Sequence, residues 1–292
     1  MANWMETSED PNCPAVITSR QAEFDDAREG PTSTRNGYFL DRARGRRVLD
    51  IGCVEHFVDA SDHPDWLHGL IVDAARVCTG VDIHADGVAN LREQGFDVVH
   101  HDITTGLGPL ADRQPYEVIT CGEIIEHLRD PQSLLDAAAA LLTEDGELVL
   151  STPNPYAPMR ASAGARGVQW ESVDHVTYLF PSGMAELASR SGLEMTAVTS
   201  TSPSSRWTHL VLALGLRSPG LAISRALGPL GRPIRRRLEA LDPRRAMPLA
   251  TIAAYWRIWN EGLVGETLIY RFALAADATP LSTDDARAEQ LV

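Results

Sequence analysis

The chain has 292 residues, a formal net charge of −14 and 44% hydrophobic residues, an ordinary balance for one large globular domain or two small ones. This composition excludes collagen, coiled-coil and largely disordered proteins. No apolar run approaches the roughly 18 residues of a membrane span, and residues 1–10 lack the charged and apolar regions of a signal peptide, so we expect a cytoplasmic protein.

Short apolar runs alternate with helical patterns in the first half of the chain. Residues 1–35 mix Pro, Ser, Thr and acidic residues without sustained periodicity, which predicts a flexible, only partly helical leading segment. Strands are predicted over residues 47–51, 77–83, 96–101, 116–121 and 146–151, and helices over residues 66–76, 85–94 and 131–142. This alternation predicts an α/β fold with a parallel, doubly wound sheet.

The second half interrupts this pattern with a Pro-rich and Gly-rich stretch and a long insertion. A helix is predicted over 181–191, and the last two strands over 193–200 and 267–275, which makes seven strands. The insertion, 203–263, holds ten arginines against three acidic residues, so it carries +7 and the remainder of the chain −21. We expect one domain over 36–276 whose helical insertion forms a lid or an oligomer contact, followed by a mobile polar tail, 277–292.

Three strand ends carry residues that suit an adenosine. Gly52 allows a sharp turn after the first strand, and Asp82 ends the second, where a carboxylate can accept both hydroxyls of a ribose. Asp102 and Ile103 follow the third strand, where they suit the amino group and the ring face of adenine. Each residue alone is more typical of a turn or a helix cap, but the ordered set predicts a nucleoside site at one edge of the sheet.

The turn after the first strand argues against a dinucleotide cofactor. Gly52 is followed by Cys53, Val54 and Glu55, so the glycine pattern of pyrophosphate-binding turns is absent. The carboxylate of Glu55 would also repel a pyrophosphate. An acidic turn instead suits a cofactor that carries positive charge.

Over residues 38–200 the chain resembles the class I S-adenosylmethionine-dependent methyltransferases. The resemblance is carried, in order, by VLDIGC (48–53), GVDI (80–83), HHDI (100–103), YEVITCGEIIEHLRDP (116–131), LLTEDGELVLSTPN (141–154) and DHVTYLFP (174–181). It implies a Rossmann-like, seven-stranded sheet and S-adenosylmethionine as cofactor. The cofactor contacts it implies are Asp50, Gly52, Cys53, Asp82, Ile83, Asp102, Ile103 and Cys121.

The segment after the fourth strand has the spacing of a metal site. Glu123, Glu126 and His127 stand at i, i+3 and i+4, so one side of a helical turn would carry all three. Together with His175 they could hold a divalent cation, with Mg as the first expectation. This pattern resembles the quinone-biosynthesis O-methyltransferases and the small-RNA 2′-O-methyltransferases, in which the ion orients a pair of vicinal hydroxyls.

A metal-free alternative assigns the same residues simpler roles. In it Glu123 caps the helix, Glu126 is solvated and His127 packs beneath the cofactor or acts as a general base. The catalytic candidates are His127, His175 and Glu123. In both alternatives one of the two histidines takes the proton of a reacting hydroxyl.

Three residues are candidates for contact with the acceptor. Asn154 and Tyr156 leave the fifth strand at the rim of the site, and Trp170 offers a ring on which a sugar could stack. The first two are equally typical of a turn stiffened by proline, and a lone Trp is more often part of a core.

These features predict a methyltransferase that acts on a hydroxyl of a sugar or short oligosaccharide. CVEH (53–56) with WLHG (66–69) is similar to sugar methyltransferases of methylmannose polysaccharide synthesis, which implies a short mannoside acceptor and Mg dependence. A quinone or phenol acceptor is one alternative. A small-RNA acceptor is another, although the acidic chain makes nucleic acid a poor partner. A cofactor-binding regulatory protein is the non-enzymatic alternative.

Overall fold

The computed structural model of the protein describes residues 4–55, 63–113, 115–157, 160, 171–201, 263 and 265–276. Its strands are β1 Arg47–Ile51, β2 Val77–Asp82, β3 Val98–His100, β4 Tyr116–Gly122, β5 Leu142–Pro153, β6 Leu193–Ser200 and β7 Thr267–Leu274. They form one seven-stranded sheet in the order β3-β2-β1-β4-β5-β7-β6. The α/β fold and the seven strands predicted from the sequence are confirmed.

Helices cover both faces of this sheet. They are α1 Trp4–Thr7, α2 Pro14–Ala27, α3 Arg35–Ala43, α4 Leu67–Ala74, α5 Ala85–Glu93, α6 Pro131–Leu141 and α7 Pro181–Arg190. Short 3₁₀ turns occupy Ile103–Thr105, Gly108–Leu110 and Ile125–His127. The predicted helices recur with ends shifted by one or two residues, since the periodic pattern does not mark the capping residue.

Side chains alternate between two apolar layers along the central strands. Leu49 and Ile51 of β1 belong to the larger cluster, which includes Leu134 and Leu135 of α6. Val48, the residue before Leu49, packs in a second cluster with residues of α3 and α4, among them Phe39, Leu67 and Ile71. Burying one such side chain contributes about 1.5–3 kcal/mol, so burial on both faces fixes the register of the strands.

The last strand runs opposite to the others. β7 pairs antiparallel with both β5 and β6, which corrects the expectation of a wholly parallel sheet. The reason lies in the chain path: β6 ends at the carboxyl edge, and the N–H of Thr201 donates to the carbonyl of Thr267 at 3.1 Å. A strand that begins at this edge must run back across the sheet.

The leading segment contains a helix that the sequence pattern does not reveal. α2 has only two buried residues, Val16 and Ala27, so it lacks an apolar stripe. The chain after it makes single bridges to the sheet, Arg28 to Val198 and Thr32 to Thr201. The segment therefore contacts β6.

Most of the insertion predicted over 203–263, the tail 277–292 and Trp170 lie outside the described residues. The lid, oligomer and tail expectations thus stay predictions. In the part of the chain that the structure describes, no helix is long and apolar enough to cross a membrane.

Candidate active site

A cavity of about 810 Å³ opens at the carboxyl ends of the strands β1 to β4. Five of the predicted cofactor residues line it, namely Gly52, Asp82, Ile83, Asp102 and Ile103. The lining also includes Glu55, His84, His101, Thr104, Ile124, His127, Arg129, Asp130 and Ser133. The structure thus brings together the strand ends that the sequence analysis grouped.

Asp82 lines this cavity and accepts hydrogen bonds from two different turns. Its Oδ2 accepts a hydrogen bond from the N–H of Val54 at 3.0 Å, and its Oδ1 accepts one from the N–H of His84 at 2.8 Å. Each carboxylate oxygen has a second lone pair, so both can still accept from ligand hydroxyls. The side chain is held in place while it keeps its capacity to bind a ribose.

Asp102 is fixed by its own local turn. Its Oδ1 accepts from the backbone N–H of Thr104 at 3.0 Å and from the Thr104 hydroxyl at 2.7 Å. The two isoleucines predicted to contact the cofactor differ, because Ile103 is 5% exposed and Ile83 is 68% exposed. Ile83 is therefore the more accessible apolar surface for a ring in the cavity.

A glycine is needed at position 52 because of a close contact that the sequence alone does not indicate. Its φ is +81°, a region that favours glycine, and a Cβ at this position would lie 2.3 Å from Cδ1 of Ile124. Its N–H donates to the carbonyl of Val81 at 2.9 Å. The glycine lets the turn after β1 pack against the segment after β4.

Three predicted cofactor residues lie behind the cavity and are not among the residues that line it. Asp50, Cys53 and Cys121 are 3%, 2% and 0% exposed. Oδ1 of Asp50 accepts from the hydroxyl of Thr120 at 2.6 Å, and its Oδ2 lies 2.8 Å from Nδ1 of His68. Burial raises the pKa of both thiols above their ordinary range. These buried side chains therefore support the ends of β1 and β4 and do not line the cavity.

Glu126, His127 and His175 come together beside the cavity. One potential ligand atom from each lies within 4.8 Å of the others. The two imidazole rings pack edge to face, with their centroids 4.7 Å apart. His127 also lines the cavity, so this group, here called the trio, borders the proposed cofactor site.

Glu123 lies outside the trio. Its φ is +57°, a left-handed value, and only Ile125–His127 form a helical turn. The expectation that one helical turn presents Glu123 with Glu126 and His127 is therefore wrong. Such a conformation is costly for a residue with a side chain, and it is held by the hydrogen bond from the N–H of Glu123 to the carbonyl of Ser151, at 3.0 Å.

Glu126 of the trio is buried, and Glu123 beside it is partly buried. Burial, and next the charge of Glu123, raise the pKa of Glu126 to about 8, against a hydrogen bond from Thr152 at 3.1 Å. Burial also raises the pKa of Glu123, while Arg35 acts in the opposite direction. Among the described residues, Oε1 of each glutamate has no hydrogen-bond partner. A bound cation would compensate these oxygens.

The segment 171–178 holds the trio in position. The carbonyl of Glu126 accepts from the N–H groups of Val176 and Thr177, at 2.9 and 3.1 Å. Nδ1 of His127 lies 3.2 Å from Oδ2 of Asp174, and Nδ1 of His175 lies 3.2 Å from the hydroxyl of Tyr178. Tyr178 is not among the predicted site residues. Its hydroxyl, in a run (VTYLF) where Thr177 is the other polar side chain, is the signal that could have indicated it.

Asn154 has a structural role in place of the predicted acceptor contact. It is 0% exposed, and its amide donates to the carbonyls of Leu263 at 2.9 Å and Gly265 at 2.6 Å. Its Oδ1 accepts from the N–H of Tyr156 at 2.9 Å. Tyr156 itself is half-exposed and packs edge-on against Phe180, with ring centroids 5.2 Å apart. Tyr156 therefore remains a candidate for acceptor contact.

Comparison with known proteins gives a consistent family assignment. The profile of a family described as "Methyltransferase domain" matches residues 26–198. A ubiquinone biosynthesis O-methyltransferase of Aeromonas salmonicida is 30% identical over 159 residues, which cover 51% of this chain and 63% of that protein. The protein of the same name from Salmonella paratyphi A is 35% identical over 127 residues, covering 41% and 49%. The chain thus spans about half to two thirds of the length of these relatives.

Among solved structures, a SAM-dependent methyltransferase from Archaeoglobus fulgidus aligns with a TM-score of 0.44 at 16% identity, over 82% of this chain and 90% of that one.

Proposed function

Because this chain belongs to the methyltransferase domain family, a class of S-adenosylmethionine-dependent enzymes, we propose that it methylates a hydroxyl oxygen of a small acceptor with two neighbouring hydroxyls. The observation that supports the choice of oxygen is the trio of Glu126, His127 and His175 at the border of the cavity. Such a group can bind an alcohol and accept its proton.

The cavity suits S-adenosylmethionine by its charge. Asp82, Asp102 and Glu55 line it, and these carboxylates favour a cofactor that carries a sulfonium and an ammonium. In this proposal Asp82 accepts from the ribose hydroxyls with its remaining lone pairs, and Ile83 packs against the adenine.

The trio also fits a divalent cation. One carboxylate and two imidazoles suit Mn, Fe, Ni or Zn, whereas Mg prefers oxygen ligands, so Mg would need Glu123 as a second carboxylate. The orphaned Oε1 atoms of the two glutamates support this assignment. A cation bound there would lower the pKa of a coordinated hydroxyl.

Each side chain of the site has a distinct proposed role. His127 or His175 accepts the proton as the acceptor oxygen becomes an ether, which typically contributes about 10²- to 10⁴-fold to the rate. Glu123 orients the second hydroxyl or completes the ligands of the cation. Tyr156 and Phe180 offer rings on which the acceptor can stack.

Two acceptor classes share the vicinal diol. A sugar or short oligosaccharide agrees with the resemblance to polysaccharide methyltransferases, and its C–H faces stack on aromatic rings. A catechol-like precursor of a quinone is the second candidate, which the names of the relatives at 30–35% identity favour. RNA is disfavoured by the net charge of −14.

The test is a methyl-transfer screen of short mannosides, catechols and RNA with the full chain. Each acceptor is run with EDTA and then with added Mg, Mn or Zn, and a monohydroxy analogue serves as the matched control. We expect transfer to one diol class that EDTA stops and a cation restores. Transfer that is indifferent to EDTA would contradict the metal, and transfer to nitrogen or sulfur acceptors alone would contradict O-methylation.

A further inference from the structure

His101 directly follows β3, and its ring is seated against a short glycine loop. It is one of the residues that line the cavity. A Cβ on Gly108 would lie 2.4 Å from Cε1 and 2.7 Å from Nε2 of His101, so another residue at position 108 would displace the ring. The loop therefore fixes a side chain at the border of the cavity.

The hydrogen-bond capacity of this ring follows from its partner. Nε2 of His101 lies 2.7 Å from the carbonyl oxygen of Gly106. A carbonyl oxygen only accepts, so Nε2 carries the hydrogen, and in the neutral ring Nδ1 keeps a lone pair and only accepts. Among the described residues, His101 makes no other side-chain hydrogen bond, so Nδ1 is available to a ligand.

Asp102, the next residue, offers a second acceptor. Its Oδ1 accepts from the N–H and the hydroxyl of Thr104, whereas no described residue donates to its Oδ2. The hydroxyl of Thr104 already donates to Asp102, so its hydrogen is not available to a ligand. The side chains of His101 and Asp102 therefore present two free acceptors at the end of β3.

An adenine fits two acceptors by its amino group. This group carries two N–H bonds, one for each acceptor. A base with an oxygen at the same ring position would instead place an acceptor against two acceptors. Polar groups that are left unpaired in a site cost binding free energy, so such a pair favours the amino base over the oxo base.

We propose that His101 is a specificity-determining residue, because its Nδ1 and Oδ2 of Asp102 accept the two N–H bonds of the adenine amino group. The inference rests on the proposed assignment of the cavity to S-adenosylmethionine. The family resemblance implies Asp102 and Ile103 as contacts of the base, and the geometry of the loop adds His101 to them.

The experiment compares two ligands that differ at this amino group. Titration calorimetry on the full chain measures the Kd values of S-adenosylhomocysteine and S-inosylhomocysteine in EDTA at about pH 8.5, where an ordinary imidazole is neutral. We expect the wild type to bind the adenosyl ligand about 30-fold or more tightly than the inosyl ligand. Equal affinities, or tighter binding of the inosyl ligand through a donor such as Arg129, would overturn the proposal.

Two variants test His101 itself. His101→Phe keeps a ring against the loop and removes Nδ1, and His101→Ala removes the ring altogether. In both, the ratio of the two Kd values should fall about fivefold or more, the effect of one hydrogen bond. A loosened loop would weaken both ligands alike and leave the ratio unchanged, so an unchanged ratio would overturn the role of His101.

Two further variants calibrate this ratio. Asp102→Asn replaces the second acceptor with an amide that can donate to the oxygen of the inosyl ligand, so the ratio should fall strongly. His63→Phe changes an exposed histidine that does not line the cavity, so its ratio should equal that of the wild type. An unchanged ratio in Asp102→Asn, or a fall in His63→Phe as large as in His101→Phe, would contradict the proposal.

The measurement also separates this inference from the proposed function. If the wild type does not bind S-adenosylhomocysteine, the cofactor assignment fails and the role of His101 fails with it. If the ligand binds but no hydroxyl acceptor is methylated, the proposed reaction fails, while the Kd ratio still decides the role of His101.

Discussion

On the proposed cofactor side of the site, Asp82 and Asp102 each accept from an N–H group two residues further along the chain, and the longest reach is the 28 residues from Asp82 back to Val54. On the acceptor side, Asn154 reaches a carbonyl 109 residues away, and Arg160 reaches one 106 residues away. The first side is built from local turns on a parallel sheet, and the second from contacts between distant segments. The cofactor half can therefore be recognised from short motifs, whereas the acceptor half depends on the complete fold.

The largest expected effect is a loss of turnover without a loss of cofactor binding. His175→Ala and His127→Ala remove a proton acceptor of the trio, so turnover should fall about 10²- to 10⁴-fold. The Kd for S-adenosylhomocysteine, measured by titration calorimetry, should stay within about twofold. His63→Ala, an exposed histidine outside the trio, is the control. Unchanged turnover in both variants would show that neither histidine acts as the base.

The second prediction concerns a substitution on the proposed cofactor side, which should weaken cofactor binding. Asp82→Ala removes two charged hydrogen bonds to a ribose, each worth about 1.5–3 kcal/mol, so the Kd for S-adenosylhomocysteine should rise about 100-fold or more. Asp86→Ala, in the first turn of α5, is the matched control because Asp86 is exposed. An increase below about tenfold would remove Asp82 from the ribose site.

Asn154→Ala tests the long-range construction of the acceptor side. The change leaves the carbonyls of Leu263 and Gly265 without their donor, at about 1–3 kcal/mol for each, so unfolding in urea should occur at lower denaturant. Asn12→Ala, at an exposed position, should change the free energy of unfolding by less than about 0.5 kcal/mol. Unchanged stability with a raised acceptor KM would restore the predicted role in substrate contact.

The smallest effect concerns pH. Burial and Glu123 raise the pKa of Glu126 to about 8, so the folded state binds a proton that the unfolded state has released above its ordinary carboxyl pKa. The contribution of Glu126 to the free energy of unfolding is therefore complete at low pH, and it is lost as the pH rises towards 8.

The measurement is a series of thermal melts in EDTA between about pH 5 and pH 8. In Glu126→Gln the melting temperature should fall less with pH, and at the highest pH the variant should melt a few degrees above the wild type. For a chain of this size, such a difference corresponds to about 1–2 kcal/mol in the free energy of unfolding. Glu93→Gln, an exposed control, should follow the wild type. Parallel curves for wild type and Glu126→Gln would contradict a buried, protonated Glu126.

The sequence alone is enough to predict those features that depend on one strand and the turn after it. The bounds of β1 and β6 were predicted to the residue, and Asp82, Asp102 and Gly52 line the cavity as expected. Periodicity could not reveal that Asn154 is buried, because its partners come from residues near β7. It also could not reveal the left-handed backbone of Glu123, which depends on a contact with β5.

The place of β7 has a consequence for how the protein is made. Strands β1 to β5 are contiguous in the sheet, so β1 to β4, whose carboxyl ends border the cavity, have all their pairing partners once β5 has left the ribosome. Among the described strands β6 pairs with β7 alone, and β7 is the last of them along the chain. During synthesis the edge of β6 that faces β7 therefore stays unpaired until the insertion has been made. Chains that stop before residue 267 would keep the strands that border the cavity and would lack β7.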